Sequence, residues 1–430
     1  MTSTVHHRVS EAPRSVAGSR RGIGALPAWP LHLMVAGYPI WWALGASPFS
    51  SLAFASIMAV YLFLGGRAKV VPGLVPWFAL LLWVAAASVT LQSVLQAVGF
   101  LQRFGDLIAV GIAMLYYVNA RSRITGRAVV RSLTLLWVSV VVLGLLAIQF
   151  PDVRLTTPVG LILPQSLTSN ELVYDMVFPP LAEVQTPWGA PEPFNRPAAP
   201  FPYANSWGAA YAILTPVVFA YLTMRPRRSV KWALIALLAL SILPAIESSN
   251  RGMLLALGIS IAYVIGRLAL RGQILPAFGA VAAVLAAGLV LLVSGAADAF
   301  FARQEFSESN DARTNVYAQT FGATLESPFV GWATPQEDVT IGISLGTQGQ
   351  AWLLMFSYGF VGLGIFLFFL WGAVLRTVSY AGMTQLWLHA VLVTIVPVMW
   401  FYSLGAMQML SVALVAIVLL RARSYGEVVQ

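Results

Sequence analysis

Apolar runs of about 20 residues, each closed by a short polar or basic stretch, recur along the chain from Trp29 to Leu420. A helix rises about 1.5 Å per residue, so about 20 apolar residues cross the ~30 Å hydrocarbon core of a bilayer. The pattern predicts twelve helices, at residues 28–46, 48–65, 71–90, 97–119, 128–149, 204–223, 231–247, 252–266, 273–294, 349–371, 383–402 and 404–420. The expected fold class is an all-α polytopic membrane protein with about 12 transmembrane helices, forming one transmembrane domain over residues 27–423.

The polar stretches between these runs are not equivalent. If the chain starts on the cytoplasmic side, Arg67/Lys69, Arg121 to Arg127, Arg225 to Lys231, Arg267/Arg271, Arg376 and Arg421/Arg423 all fall in cytoplasmic connections. Of the 25 Lys and Arg, Arg154, Arg196, Arg251, Arg303 and Arg313 fall outside and Arg103 lies within a helix, which leaves 19 inside. Thirteen of the 16 Asp and Glu fall outside. This asymmetry predicts a multi-pass protein of the cytoplasmic (inner) membrane with both termini cytoplasmic and its chemistry on the extracytoplasmic face.

Two extracytoplasmic connections, at about 150–203 and 295–348, are too long for simple turns, and loops of that size are usually functional or disordered. The first is rich in proline and aromatics (Phe178, Trp188, Phe194, Phe201, Tyr203), and the second, around Phe300 to Phe329, reads as amphipathic helix. Both are expected to be ordered and to form a site. No internal repeat divides the chain into two six-helix halves.

Composition sharpens this picture in three ways. Only 10% of residues are charged and 59% are apolar, against about 25% charged in soluble domains. The absence of cysteine removes disulfides, thiol nucleophiles and thiolate metal sites. The net charge of +9 is read as a topology signal, so the expected partners include the lipid bilayer and no nucleic acid. Residues 1–26, with Arg8, Arg14, Arg20 and Arg21 among small polar residues, lack a signal-peptide core and are expected to form a disordered cytoplasmic tail, and residues 424–430 are expected to form a short second cytoplasmic tail.

Five arginines against the positive-inside rule call for an explanation, and the guanidinium fork is the side chain that best grips phosphate. Arg251 is the sharpest case. It lies in Glu247-Ser-Ser-Asn-Arg-Gly252, where Ser249 or Asn250 can cap the next helix, and an anion there would meet free amides and a guanidinium together. The competing explanation is an interfacial arginine that snorkels to headgroups or pairs with Glu247.

Arg103 and Asp106, three apart on one helix face within the membrane, are either a mutually neutralising pair or a functional one, with Arg103 able to reach a diphosphate at the interface. Arg196 is a further donor-diphosphate candidate. Arg303 and Arg313 flank Glu305, Glu308 and Asp311, which sets candidate bases beside candidate phosphate clamps, although a solvated mixed-charge helix explains Arg303 better.

All four histidines, His6, His7, His32 and His389, map to the tail or the inner halves of helices and cannot serve an extracytoplasmic site. No Asp-x-Asp occurs and the first outer loop, Ala46 to Ser50, has no acid, so a catalytic metal is not supported. Tyr203 and Trp207 can stack on sugar faces, as can Phe194 and Phe201, although interfacial belt roles suit most of them.

Several segments then align with a known family: Arg196-Pro-Ala-Ala-Pro-Phe-Pro-Tyr-Ala-Asn205, Ser249-Asn-Arg-Gly252, Asp311-Ala-Arg-Thr-Asn-Val-Tyr with Ser327-Pro-Phe-Val-Gly331, and Gly346-Thr-Gln-Gly-Gln followed by Tyr-Gly359-Phe-Val-Gly362. From about Arg196 to Leu370 the chain resembles the O-antigen ligase/polymerase superfamily, whose membrane glycosyltransferases are of the GT-C type. The resemblance implies a metal-independent, inverting glycosyltransferase without a cofactor. Such an enzyme takes a glycan from a polyprenyl-diphosphate carrier and passes it to a glycan or glycolipid acceptor in surface-polysaccharide biosynthesis. It also implies donor-diphosphate roles for Arg251 and Arg313, and Asn205 joins Tyr203 and Trp207 as a glycan-binding candidate.

Ligases of that family begin the last motif with a histidine as the proposed base, and Gln348 stands at the best-matching position here. This departure favours a polymerase over a ligase and leaves Glu305, Glu308 or Asp311 as the base. The alternatives are a transporter or flippase of lipid-linked glycans, which needs polar groups along a path through the bilayer, and a structural membrane protein, which leaves the outer arginines unexplained.

Overall fold

A computed structural model describes residues 26–429 except 67, 170, 186–192, 276, 280, 283–287, 289–308, 339–342 and 380. The expected tail at 1–26 lies outside the described residues but for its last position, and so does most of the expected helix at 273–294. The chain is mostly helical, and among the described residues nine helical segments are long and apolar enough to cross a membrane.

The first expected span is two short helices, α1 (Trp29–Ala36) and α2 (Tyr38–Ala43). Gly37 and Pro39 interrupt it, since proline offers no N–H to a continuing ladder, and Trp41 Nε1 donates to Leu33 O across the break (2.9 Å). Next come α3 (Ser47–Leu64), the span Pro72–Thr90 with α4 (Val75–Ala87) at its centre, α5 (Val94–Asn119) and α6 (Gly126–Gln149). Ser93 caps α5 by accepting from Gln96 N (3.2 Å), and Thr125 caps α6 by accepting from Ala128 N (3.2 Å).

The connection from 150 to 203 is built from three short helices, α7 (Pro158–Ile162), α8 (Gln165–Thr168) and α9 (Glu171–Val177), and a hairpin of β1 (Ala182–Gln185) and β2 (Phe194–Pro197). The strands are antiparallel, with Glu183 opposite Arg196 and Val184 opposite Asn195. Beyond it run α10 (Ala204–Thr223), the span Arg228–Glu247 made of α11 (Arg228–Leu240) and α12 (Ile242–Glu247), and α13 (Arg251–Leu270).

The second long connection carries α14 (Ser309–Glu326), in keeping with its helical reading, and a small hairpin of β3 (Gln336–Asp338) and β4 (Ile343–Leu345). The chain ends with α15 (Gln350–Arg376), the shorter apolar α16 (Met383–Val398) and α17 (Ala406–Tyr425). At 16 residues α16 falls short of the span expected over 383–402, ending at Val398 just beyond Pro397.

The core sits around α17 and α10, whose apolar spans are 89% and 78% buried, whereas α3, α13 and the Arg228–Glu247 span keep most of their surface on the outside of the bundle. Small residues explain the close approach of α10: Gly208 leaves no room for a Cβ against Asn250, and Ala209, Ala210 and Ala212 are buried around it.

The ends of the helices form two poles. At one, Lys69 N donates to Asn119 Oδ1 (2.7 Å), Thr223 bonds to Thr384 (2.7 Å), Arg267 donates to Val378 O (2.7 Å) and Arg423 donates to Arg376 O. Arg421, buried to 2% exposure, donates to Tyr117 O (2.8 Å), Ile124 O (3.0 Å) and Glu427 (3.0 Å), with its guanidinium 3.7 Å from the Tyr117 ring centre. Glu427 also pairs with Arg121 (2.8 Å), so the last residues are clasped to the α5–α6 turn. This is the basic pole; both long connections gather at the opposite one.

A break in α15 shapes that opposite pole. Gly359 has φ 68° and ψ −179°, which only glycine adopts readily, and it opens the helix ladder inside the apolar bundle. The carbonyls freed there are met by protein donors: Trp332 N to Phe356 O (2.9 Å), Ala333 N to Ser357 O (2.7 Å) and Trp83 Nε1 to Tyr358 O (2.9 Å). Phe360 N in turn donates to Pro328 O (2.8 Å). Gly331, at φ 70°, lets the loop approach, since a Cβ there would fall 2.5 Å from Phe356 O.

Candidate functional site

The Gly359 break turns Tyr358 toward a cavity of about 390 Å³ between α3, α5, α15 and the start of α17. Its lining begins at the non-basic pole with Ser47 at the start of α3 and with Tyr203 and Ser403 between helices, and follows α5 from Gln102 to Val110. At about 1.5 Å per residue, that stretch of helix measures roughly 12 Å. Polar side chains at such depth are costly and tend to mark function.

Arg103 and Asp106 both line this cavity, one helical turn apart. Arg103 Nη1 donates to Thr334 Oγ1 (2.8 Å) and to Gly99 O (3.2 Å), and Asp106 Oδ1 accepts from Ser51 Oγ (2.8 Å). Among the described residues no ion pair joins the two, so they do not neutralise each other by contact. The Tyr358 hydroxyl is fully buried at the same cavity without a hydrogen-bond partner among the described residues.

Beside the cavity mouth, Arg196 is held by all three guanidinium nitrogens. Nε donates to Ser248 O (2.7 Å), Nη1 to Gln185 Oε1 (2.9 Å) and Nη2 to Asn205 Oδ1 (3.1 Å). Glu183, opposite it in the hairpin, accepts from Ala204 N (2.6 Å) and from Gln185 Nε2 (2.7 Å). A carboxylate at the first amide of α10 is favoured by the positive end of the helix. Arg196 therefore clips the hairpin, the start of α10 and the turn before α13 into one unit.

That turn carries Arg251. Asn250 Oδ1 caps α13 by accepting from Met253 N (3.4 Å), which identifies the cap among the two expected residues, and Ser249 sits at φ 48°. Arg251 is the exposed first residue of the helix, and Gly252 packs against the Tyr402 ring, with a Cβ there only 2.9 Å from it. Ser403, next to Tyr402, lines the cavity.

The remaining expected residues divide. Tyr203 lines the cavity mouth and is 46% exposed, and Asn205 is engaged by Arg196. Trp207 has no exposed surface; its Nε1 donates to Val140 O (2.9 Å) and its ring stacks on Tyr211 at 5.2 Å, so it is a core residue with no face open to a sugar. Gln348 sits at the rim, where its amide donates to Thr347 Oγ1 (3.2 Å), while Thr347 O accepts from Ser403 Oγ (2.7 Å). Glu305, Glu308 and Arg303 lie outside the described residues. Asp311 and Arg313 belong to α14 by their backbone, and their side chains lie outside the description.

Among the polar lining residues, Ser51, Gln102 and Gln408 were not singled out from the sequence, and Gln350 and Tyr358 entered only as parts of the resembling segments. Gln350 Oε1 accepts from Leu404 N (3.0 Å) and Gln408 Nε2 donates to Ser206 O (2.9 Å), so both tie loops of this pole to the bundle. The signal for Gln408 was available, an amide within an otherwise apolar run, whereas Gln350 stands at the polar start of its run.

Among the described residues, no three His, Cys, Asp or Glu side chains gather as a metal site. His32 bonds to Ser132 (2.7 Å), and His389 to Tyr263 (2.6 Å) and Val374 O (3.0 Å), all within the bundle. Comparison with models of known protein families and with curated proteins finds no match for this chain.

Proposed function

We propose that the protein is a metal-independent, inverting glycosyltransferase that takes a glycan from a polyprenyl-diphosphate carrier at the extracytoplasmic face of the cytoplasmic membrane. Polymerisation of a surface polysaccharide is favoured over ligation, since Gln348 stands where related ligases carry a histidine. The observation that carries this reading is the cavity that holds Arg103 and Asp106 among largely apolar walls, lying beside the Arg196 clip and the Arg251 turn at the pole opposite the basic clusters. The resemblance of the 196–370 half to O-antigen ligases and polymerases supports the same chemistry.

The donor's anomeric carbon already bears a good leaving group. The protein's task is then to stabilise departing negative charge and to align the acceptor hydroxyl. Arginines suit the first task, because a diphosphate near lipid loses hydration and must be matched by charge-assisted, preferably bidentate, hydrogen bonds. Arg251, Arg313 and Arg103 are assigned to it. Arg196 holds the frame in which Arg251 stands, and Tyr203 and Asn205 border the glycan path. A flippase fits less well, since the described cavity lining ends at Val110 and Met409 and traces no path to the basic pole.

The test is incubation of the purified protein with a polyprenyl-diphosphate-linked oligosaccharide, reading the products for longer glycans. Arg251→Ala and Arg313→Ala should each lower transfer at least ten- to a hundredfold, the equivalent of a lost charge-assisted contact of about 1.5–3 kcal/mol. Lysine should rescue poorly, because it keeps the charge and loses the fork. Wild-type rates in both alanine variants at normal expression would remove the diphosphate-clamp assignment and leave Arg251 as an interfacial anchor.

A further inference from the structure

Resting on that reading, we infer that the cavity is the acceptor site and that Asp106 is the catalytic base that takes the proton of the acceptor hydroxyl. Three independent features lead there. Asp106 uses one oxygen to accept from Ser51 and makes no other hydrogen bond among the described residues, so its second oxygen remains available to a ligand. Tyr358 brings a buried, unpartnered hydroxyl to the same space. A buried polar group without a partner costs on the order of 1–3 kcal/mol, and a ligand hydroxyl would satisfy it.

The third feature is the spacing of the charges. Arg103 and Asp106 are three residues apart, about 4.5 Å along the helix axis, and remain unpaired although both face the cavity. Inverting transfer needs the leaving oxygen and the incoming oxygen on opposite sides of the anomeric carbon. A cation for the first and a base for the second, one helical turn apart, meet that need. Arg103 lies nearer the pole where the diphosphate would rest among headgroups, and Asp106 lies deeper, where a carboxylate would repel a diphosphate and accept from a hydroxyl.

The walls are largely apolar, and the polar groups among them are the ones a sugar hydroxyl could meet. Ser50, Ser51, Gln102 and Tyr358 offer hydroxyls and an amide, and about 390 Å³ falls within the range of pockets that enclose small ligands. In the step itself the acceptor O–H proton passes to the Asp106 carboxylate, and the acceptor oxygen bonds to the anomeric carbon. The bond from that carbon to the diphosphate oxygen breaks with its electron pair, so polyprenyl diphosphate leaves as the anion. The protonated carboxyl returns its proton to water when product departs. Asp106 thus does the work that an outer-loop carboxylate such as Asp311 would otherwise do.

The experiment compares Asp106→Asn and Asp106→Glu with the wild-type protein in elongation of a polyprenyl-diphosphate-linked oligosaccharide, and measures binding of polyprenyl diphosphate to each. A positioned general base contributes about 10²–10⁴-fold, so Asp106→Asn should lower the rate at least a hundredfold with diphosphate binding unchanged. Asp106→Glu should restore a substantial part. A near-normal rate in Asp106→Asn, or a loss of rate accompanied by loss of diphosphate binding, overturns the base assignment while the transferase reading stands. Absence of elongation by the wild-type protein itself removes the transferase reading, and this base with it.

Discussion

Tyr203 and Trp207 are four residues apart and equally suited by type to stack on a sugar, yet only one keeps an exposed ring. The difference is depth along the helix, since residues four apart share one face. Tyr203 precedes α10 and borders the cavity mouth, while Trp207 is one turn in and faces α6, where Val140 O takes its indole N–H. Trp207→Ala should therefore cost about 3–5 kcal/mol of stability, read as a large fall in the melting temperature of the detergent-solubilised protein. Tyr203→Ala should change stability by no more than about 0.5 kcal/mol, and its effect should appear in transfer. At this scale the sequence identified polar and aromatic types correctly but not their directions. Arg196 reads as a phosphate fork, and its three nitrogens are held by residues 11, 9 and 52 positions away, a set chosen by hairpin register and tertiary packing.

Among the elements, α15 shows what hydrophobic patterning can and cannot predict. Its apolar run is plain, and Gly359 is visible within it, but nothing in the run says that the helix opens there. That depends on Trp332, Ala333 and Trp83 arriving from other segments to meet the freed groups. A Cβ at position 359 would meet Phe329 O and force a left-handed conformation on an L residue. Gly359→Ala should cost at least about 1–3 kcal/mol, seen as a lower melting temperature and as aggregation in size-exclusion chromatography. The first span was equally legible in length and equally silent about its break at Gly37 and Pro39, because a slow count of apolar residues does not register a single missing N–H.

For the whole molecule, spans are far easier to read than their order in space. The span with the lowest mean hydropathy, Ala204–Thr223 at 1.3, is among the most buried, and Arg228–Glu247 at 2.0 is the least. In lipid, apolar surface is tolerated outside as well as inside, so hydropathy does not rank helices by depth in the bundle. Charge sidedness survives this ambiguity. The protein has no native cysteine, so a thiol introduced at Ser169 or at Ser122 is unique. In intact cells an impermeant maleimide should label Ser169→Cys and spare Ser122→Cys; the reverse pattern would invert the topology and every site assigned to the extracytoplasmic face.

The loop from Pro328 to Ala333 is joined to α15 on both sides of its break, and Thr334, the next residue, holds Arg103. In mechanical terms Gly359 is a fulcrum with the cavity on one arm and α14 on the other. A glycan that fills the cavity and displaces Tyr358 must strain the same hydrogen bonds that anchor the end of α14, and movement of α14 must be felt at Arg103. Filling of the cavity and the placement of the helix that carries Arg313 are then one coordinate, which would let the presence of an acceptor set the grip on the donor.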